Sequence, residues 1–573
     1  MVLSKSNPQV IERFTAELTE EIDNILPILQ DAFQDFKGGK VGRQLEDVTR
    51  RLFNEWLTST LLPTVEEATA FLEPLISLSS ALQETGADIT RIQAKAKKGL
   101  DQLDGNVIPQ LVADMIAAVR QGLTAEKAVY NDIWRAFDKP IQNFLVENAI
   151  LIVGRLLMYF VGLDKNCWDA LLLQHTLGTP YLKHYWDLRE RQSGLLPSLY
   201  HLNEFDWLYA NHTLRQGLMS SELGVLDLHE SNLDKELFRL HKMFKSYEYS
   251  QVDLDVWEAV YQEFLSPEQI SKLGFVTTPH EIVELILDLV EYTADKPGLC
   301  TKRILDPSCG SGTFLVEALT RLLRHLEKKM PCHALDPRIT DWKRQRELLE
   351  TTLTDIHGVD IHPFAVFLTT LNLTFQLIDK YSIVSRHYVN FGLDLDITTH
   401  DTLSRRPAIQ APAVPYTNAR FQEMMERTRR FVQLLDSQFD YVVGNPPWGA
   451  VLKGVVGPLG NKARRLDYKE RFESSHSPSG KYDIFVLFME RGIKWLKPRT
   501  GVLGMITQVN WVSQDFGEGI KKVMRSEGTP KIFVDLQKVG TIIFPKWTNY
   551  PAIIVVQRSE LVDSVQVVEV SKS

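Results

Sequence analysis

Apolar residues in the first part of the chain recur at three- and four-residue steps. Ile11, Phe14, Leu18, Ile22, Ile25 and Leu29 form one such series, with Glu, Asp and Thr between them. That spacing puts the apolar side chains on one face of a helix. The same periodicity recurs over Val48–Leu62, Ala68–Leu82, Val107–Val119 and Leu151–Leu163, and no fixed-period repeat joins these stretches. The pattern weakens at Ser246–Ser250, which predicts a linker and an all-α domain over residues 1–250. From Arg303 the pattern changes: short apolar, β-branched runs alternate with helical ones. Arg303-Ile304-Leu305, Gly358-Val359, Phe439–Val443, Gly501–Ile506, Lys531–Leu536 and Ala552–Val556 read as strands. Alternation of this kind predicts, over residues 251–573, an α/β domain with a doubly wound, mostly parallel sheet and ligands at the strands' C-terminal ends.

Composition narrows the class. A hydrophobic content of 44% with 24% charged residues is that of a soluble globular protein. The four cysteines (Cys167, Cys300, Cys309, Cys332) form no CxxC pair and no zinc-type cluster. Reduced thiols, a cytoplasmic location and no metal site are therefore expected. The start MVLSKSNPQV has no apolar core of a signal peptide. Ala149–Leu163 is interrupted by Arg155 and too short to span a bilayer, so it reads as a core helix and no membrane partner is expected. A net charge of −9 gives no basic footprint overall, so any nucleic-acid contact has to come from local patches.

Two stretches carry chemistry. In the first, the strand ending at Val443 runs into Gly444-Asn445-Pro446-Pro447-Trp448-Gly449. Consecutive prolines fix φ and remove two donors, leaving carbonyls free to accept. Such a site can grip an amino group with an amide and a carbonyl oxygen while an aromatic face stacks on the ring behind it; a Pro-terminated strand and turn gives the same residues. In the second, Ile304-Leu305 leads through Asp306-Pro307-Ser308-Cys309-Gly310-Ser311-Gly312-Thr313-Phe314 into a helix. This Gly-rich turn is neither the GxGxxG nor the Gly-Lys-Ser/Thr phosphate type, and its acidic strand end suits a cationic or zwitterionic ligand.

DPSCGSGTF followed by NPPWG resembles the S-adenosylmethionine-dependent amino-methyltransferases of DNA, in their adenine branch, over roughly residues 255–570. The motif order, with little sequence between Asp401 and Asn445, resembles the gamma group found in type IIG and type I restriction-modification and related phage-defence systems. The resemblance implies a Rossmann-like methyltransferase domain and transfer of a methyl group to the N6 amine of adenine in double-stranded DNA. Asn445, Pro446, Pro447 and Trp448 are the implied catalytic residues, with Trp448 and Phe544 stacking on the base. Implied cofactor contacts are Thr278, Pro279, Asp306, Pro307, Cys309, Gly310, Gly312, Phe314, Asp360, Ile361, Asp401 and Phe485. Asp360, which also fits a plain helix N-cap, is assigned to the ribose hydroxyls, and Asp401 to the adenine amine. Thr278-Pro279-His280-Glu281 reads equally as a capping box. His362 and His400 read as satisfied or solvated.

Lys453, Lys462, Arg464 and Arg465 lie in a glycine-containing loop beside the catalytic motif and are candidates for DNA phosphate contacts. The N-terminal helices show no nuclease site: Asp234-Lys235-Glu236 falls in a helical pattern. Only Gln557 to Ser573 follow the last strand of the pattern, and Val565–Val570 reads as an extended segment leading away from the core. The expectation is that a target-reading module is absent and that these residues are a fragment or a subunit completed by a specificity or nuclease partner. Two other readings stay open: an amino-methyltransferase acting on RNA or on protein glutamine, and a catalytically idle cofactor-binding subunit of a defence complex.

Overall fold

The computed structural model describes residues 1–4, 6–37, 138–167, 230–252, 256, 260, 278–329, 337–387, 391–404, 429–434, 438–448, 468–478, 482–544, 550–559 and 565–570. The helical patterns over 48–62, 68–82 and 107–119, and Lys453, Lys462, Arg464 and Arg465, lie outside the described residues. The chain forms two compact units. One comprises Met1–Ser193, Leu202–Gly274 and Lys453–Lys462; the other comprises Gly194–His201, Phe275–Leu452 and Ala463–Ser573.

In the first unit the described elements are the helices α1 (Pro8–Lys37), α2 (Asp138–Asp164) and α3 (Glu230–Lys245). All six apolar residues of the α1 series are buried. Helix α2 is apolar on every side, and 94% of its most apolar window is buried, as a core helix requires. The segment Ser246–Ser250 is not a linker. Tyr247 and Tyr249 are buried and set their rings edge-on to Phe14 at 4.8 and 6.1 Å, while the Tyr249 N–H donates to Asp164 (2.8 Å). The chain start is tied to the same segment, through Leu3 N–H to the Glu248 carbonyl (2.9 Å) and Glu248 N–H to the Met1 carbonyl (2.7 Å). Two large aromatic side chains with core partners outweigh the polar sequence around them.

The second unit is built on an eight-stranded sheet in the order β3-β2-β1-β4-β5-β7-β6-β8. The strands are β1 Ile304–Asp306, β2 Ile356–Asp360, β3 Asp396–Thr399, β4 Tyr441–Gly444, β5 Val502–Gln508, β6 Thr529–Asp535, β7 Pro551–Gln557 and β8 Gln566–Glu569. Only β7 runs against its neighbours. The segment predicted to lead away from the core is β8, paired in parallel with β6 from Ile532↔Gln566 to Asp535↔Glu569. It reads as departing because its side chains are mostly exposed; backbone pairing, not burial, holds it.

Helices α4 (His280–Leu289) and α5 (Thr313–Lys329) cover one face of the sheet. A methyl group on Gly504 would overlap Val290 behind α4, and one on Gly358 would lie 2.8 Å from Leu315 of α5. Helix α6 (Pro337–Asp355) packs on α7 (Pro363–Ser385). On the opposite face lies α8 (Ile484–Trp495), whose Gly492 approaches Leu503, Val442 and Met505; α9 (Glu518–Glu527) packs on α8 and β6. The capping box expected at α4 does not form. Pro279 is the N-cap, with no side-chain cap bond, and Thr278 is buried.

One buried cation joins α4 to α5. Arg321 donates to Glu317 (2.8 Å), Asp288 (2.6 Å) and the carbonyls of Tyr292 and Glu284 (both 3.2 Å). Glu317 is as buried as Arg321, so removing the guanidinium strands a carboxylate. Arg321→Met is expected to lower the unfolding free energy by roughly 3–5 kcal/mol. The double variant Arg321→Met/Glu317→Leu is expected to recover most of that loss. Urea unfolding followed by circular dichroism measures both.

Candidate active site

The strand order reverses between β1 and β4, so a crevice opens where their C-terminal ends part. Asp306 ends β1 there and Asn445 follows β4. The Asp306 carboxyl is buried and accepts from Ser308 N–H at 3.0 Å. It lies so close to Gly444 that a Cβ on that residue would come within 2.7 Å of Oδ1. Only glycine lets the two strand ends approach this far. The Ser308 hydroxyl donates to the Asn445 carbonyl at 3.4 Å, joining the Gly-rich turn to the Asn-Pro-Pro-Trp segment.

The turn itself is held from two sides. Gly310 and Gly312 have φ of +56° and +89°, the left-handed region that favours glycine. A Cβ at Gly310 would meet nothing within 4 Å, whereas at Gly312 it would lie 2.9 Å from Thr369 Cγ2. Gly310 therefore borders open space, and Gly312 lets α7 close on the turn. From α7, Thr369 donates to the Gly310 carbonyl and Asn372 to the Ser311 carbonyl, both at 2.8 Å. Thr402 donates to the Pro307 carbonyl at 2.6 Å. None of these three was signalled by the motifs. A polar pair spaced i, i+3 in the apolar helix α7 is the trace that Thr369 and Asn372 leave in the sequence.

Asp360, at the end of β2, accepts from Gly310 N–H (2.9 Å) through Oδ2 and from His362 N–H (2.8 Å) through Oδ1. It caps no helix: His362 does, its Nδ1 accepting from Phe364 N–H at 3.2 Å. Burial holds the His362 ring neutral, with a pKa near 3, as that acceptor role requires. Thr399, paired with Asp360 across β2 and β3, has a buried hydroxyl oxygen that no group among the described residues bonds. Asp401 accepts from Leu403 N–H at 2.9 Å. Its loop is fastened by Arg471 to the Leu403 carbonyl (2.7 Å) and by Arg491 to the Ser404 carbonyl (3.0 Å). His400 stacks on Phe431 with centroids 3.7 Å apart.

Burial dominates the electrostatics. It raises the Asp306 carboxyl to about 8, with the charge of Asp360 adding and Ser308 N–H opposing. It raises Asp360 to about 6 against the pull of the His362, Gly310 and Ile361 N–H groups. The buried Cys309 thiol is pushed well above its ordinary value, which makes it inert. Among the described residues no basic side chain bonds to either carboxylate.

Of the Asn-Pro-Pro-Trp segment, Pro446 is buried, Pro447 exposed, and Asn445 and Trp448 half-buried. The Asn445 side-chain amide bonds to no other group among the described residues. Trp448 meets Phe544 edge-on, centroids 5.3 Å apart and planes at 76°. Of the other candidates, Phe314 is buried in the first turn of α5 and Ile361 is half-buried beside Asp360. Phe485 is buried, with its edge toward Phe516, and Asp483 caps its helix. No hydrogen bond joins Thr278 or Pro279 to the Gly-rich turn among the described residues.

Residues 354–542 match the family described as the Eco57I restriction-modification methylase. The chain is 27% identical over 286 residues to the type II methyltransferase M.PaeR7I of Pseudomonas aeruginosa, covering 50% of this chain and 40% of that protein. It is 25% identical over 306 residues to the type II restriction enzyme and methyltransferase RM.Eco57I of Escherichia coli, covering 49% and 29%. Similarity to the adenine-specific methyltransferase PglX of Streptomyces coelicolor is 24% over 274 residues, covering 45% and 21%. The matched region thus spans less than half the length of each relative. The resemblance drawn from the two motifs, to methyltransferases of restriction-modification systems, is borne out.

Both aspartates titrate higher in the folded chain than their ordinary 3.8. The folded state therefore binds these protons more tightly than the unfolded state. The stability linked to them is complete below 3.8 and is lost as pH rises, through about 6 for Asp360 and about 8 for Asp306. Asp306→Asn removes the larger part. The variant is expected to be more stable than the wild type at pH 8, with the difference closing toward pH 4. Urea midpoints across that range check it; a constant offset contradicts the assignment.

Proposed function

We propose that this chain is the catalytic part of an adenine-N6 DNA methyltransferase of a restriction-modification or phage-defence system, with S-adenosylmethionine as methyl donor. The observation that carries the reading is the Asn445-Pro446-Pro447-Trp448 segment, standing at the sheet's switch point against a buried Asp306 and an open Gly-rich turn.

The residues present fit the donor. Gly310 presents backbone to open space, as close approach of a ligand needs. Asp306 is buried without a basic partner, and a cationic ammonium or sulfonium group supplies what its charged form lacks. Asp360 accepts from backbone N–H groups through both oxygens, and the acceptor capacity that remains on its carboxylate is what a ribose hydroxyl needs. Asp401 is offered to the adenine amine of the donor.

When bound, S-adenosylmethionine supplies a methyl group activated on a sulfonium. The rest is positioning by the chain. A target adenine has to leave its duplex, because its amine is out of reach inside the stack. Asn445 Oδ1 and the Pro446 carbonyl accept the two amine hydrogens and so orient the nitrogen lone pair. The nitrogen would take the methyl group as the donor's sulfur–methyl bond breaks to leave a neutral thioether, and the positive amine so formed would lose its extra proton to solvent. The same two acceptors stabilise that developing charge. Trp448 presents its face to the base, worth roughly 1–3 kcal/mol of stacking. The observed edge contact with Phe544 means one ring turns before a base lies between the two. Duplex DNA is the proposed substrate, and a specificity or nuclease protein the proposed partner.

The test is single-molecule sequencing of host DNA with the gene intact, deleted, or carrying Asn445→Ala. N6-methyladenine in one sequence context is expected from the intact gene alone; methylation unchanged by deletion refutes the function. In purified protein, Asn445→Ala is expected to abolish methyl transfer while leaving donor affinity intact, since that acceptor acts in the transition state. Asp360→Ala is expected to weaken donor binding by about tenfold or more, matching loss of a charge-assisted hydrogen bond. Calorimetry separates the two variants, and equal donor affinity in both would overturn the ribose assignment.

A further inference from the structure

Six large apolar side chains are exposed among the described residues: Met1, Val512, Ile542, Tyr550, Val565 and Val567. Three of them rise from the loops that flank the candidate base site. Val512 (43% exposed) ends the turn Val509–Val512 that follows β5, the strand beside β4. Ile542 (62%) stands two residues before Phe544, the ring in contact with Trp448. Tyr550 (60%) immediately precedes β7, and its carbonyl accepts from Val509 N–H at 2.8 Å. That bond fixes the start of β7 to the end of β5, on the sheet edge where Asn445 lies. The backbone under Tyr550 is thus firmly placed while its ring faces water.

Exposed apolar groups on several loops at one end of a sheet mark a contact surface. The chemistry of the neighbouring site selects its partner. An adenine drawn onto Trp448 leaves a gap in the base stack at the rim of the site, and its partner base loses a stacking neighbour. A protruding apolar ring restores part of that contact, whereas a charged side chain there does not.

Resting on the adenine reading above, we propose that Tyr550 is the wedge that enters duplex DNA beside the target adenine and stabilises the extruded state, with Ile542 and Val512 on the neighbouring loops as further apolar contacts. Tyr550 then acts on the cost of extruding the base and on neither donor binding nor methyl transfer itself. Removing the base opposite the target lowers that cost independently of the protein.

The experiment uses the full chain and duplexes carrying the sequence context that the wild type methylates. One duplex is fully paired and one has an abasic site opposite the target. Matched duplexes carry 2-aminopurine in place of the target adenine, whose fluorescence rises on unstacking. Tyr550→Ala is expected to lower methylation of the paired duplex by about tenfold and to reduce its fluorescence rise. The abasic duplex should be methylated nearly as well as by the wild type. Tyr550→Trp should behave as wild type on both, and donor affinity should stay unchanged throughout. Equal losses on the two duplexes, or no loss on either, overturn the wedge and leave the surface to a protein partner. A wild-type chain that methylates no DNA removes the adenine reading, and this proposal with it.

Discussion

The second unit depends on the contact between the Asp306 carboxyl and the backbone at Gly444. Strands β1 and β4 are neighbours, yet the chain reaches β4 only after β2 and β3 have been laid down on the other side. The two motifs are therefore far apart in sequence and adjacent in space. With any side chain at position 444 a Cβ would press on Asp306 Oδ1. The strand end would then move, and Asn445 with it. The Asp306 carboxyl and the Asn445 amide are thus placed by a single glycine.

What surrounds this contact is a lattice of side chains bonded to loop carbonyls. Thr369, Asn372, Thr402, Arg471 and Arg491 each donate to a main-chain oxygen of the Gly-rich turn or of the loop after Asp401. Loop carbonyls in a partly buried crevice need partners, and side chains from helices and from the neighbouring loop supply them. The turn keeps an open side at Gly310 because its other side is held by α7. A rigid turn spends little ordering entropy when a ligand arrives.

Much of this was legible in the sequence, for identifiable reasons. Short apolar, β-branched runs located the strands because these are buried on both faces, and the three- and four-residue spacing located α1 because it buries one face. The Gly-rich turn and the Asn-Pro-Pro-Trp segment were legible because backbone constraints admit few residue types there. Other features were hidden because they depend on contacts distant in sequence. Tyr247 and Tyr249 look like linker residues until Phe14 is placed beside them. Residues 566–569 look unattached because a parallel edge strand is held by backbone bonds that leave no mark on side-chain type. Thr278 has the sequence of a capping residue, but Pro279 occupies the N-cap and leaves its hydroxyl no such role.

The two ends of the same strands are treated oppositely. At the start of β4, Asp440 is buried but receives Lys302 (2.9 Å), Lys497 (2.6 Å) and the Arg303 N–H (3.1 Å). Despite its burial, bonds from Lys497 and Lys302 hold its carboxyl below the ordinary value. Next to it, at the start of β2, His357 Nδ1 bonds to Asp396 at 2.6 Å, and its Nε2 lies 2.9 Å from the Thr354 carbonyl and 3.2 Å from Arg303 Nε. At the far end, Asp306 and Asp360 are buried with backbone donors and no basic side chain, and both are raised. A buried carboxylate matched to a cation contributes to the fold, while an unmatched one weakens it. The lower edge therefore helps anchor the sheet that the upper edge strains. The upper edge holds two buried carboxyls that, among the described residues, only backbone N–H groups meet, and that is the combination a ligand site at this edge requires.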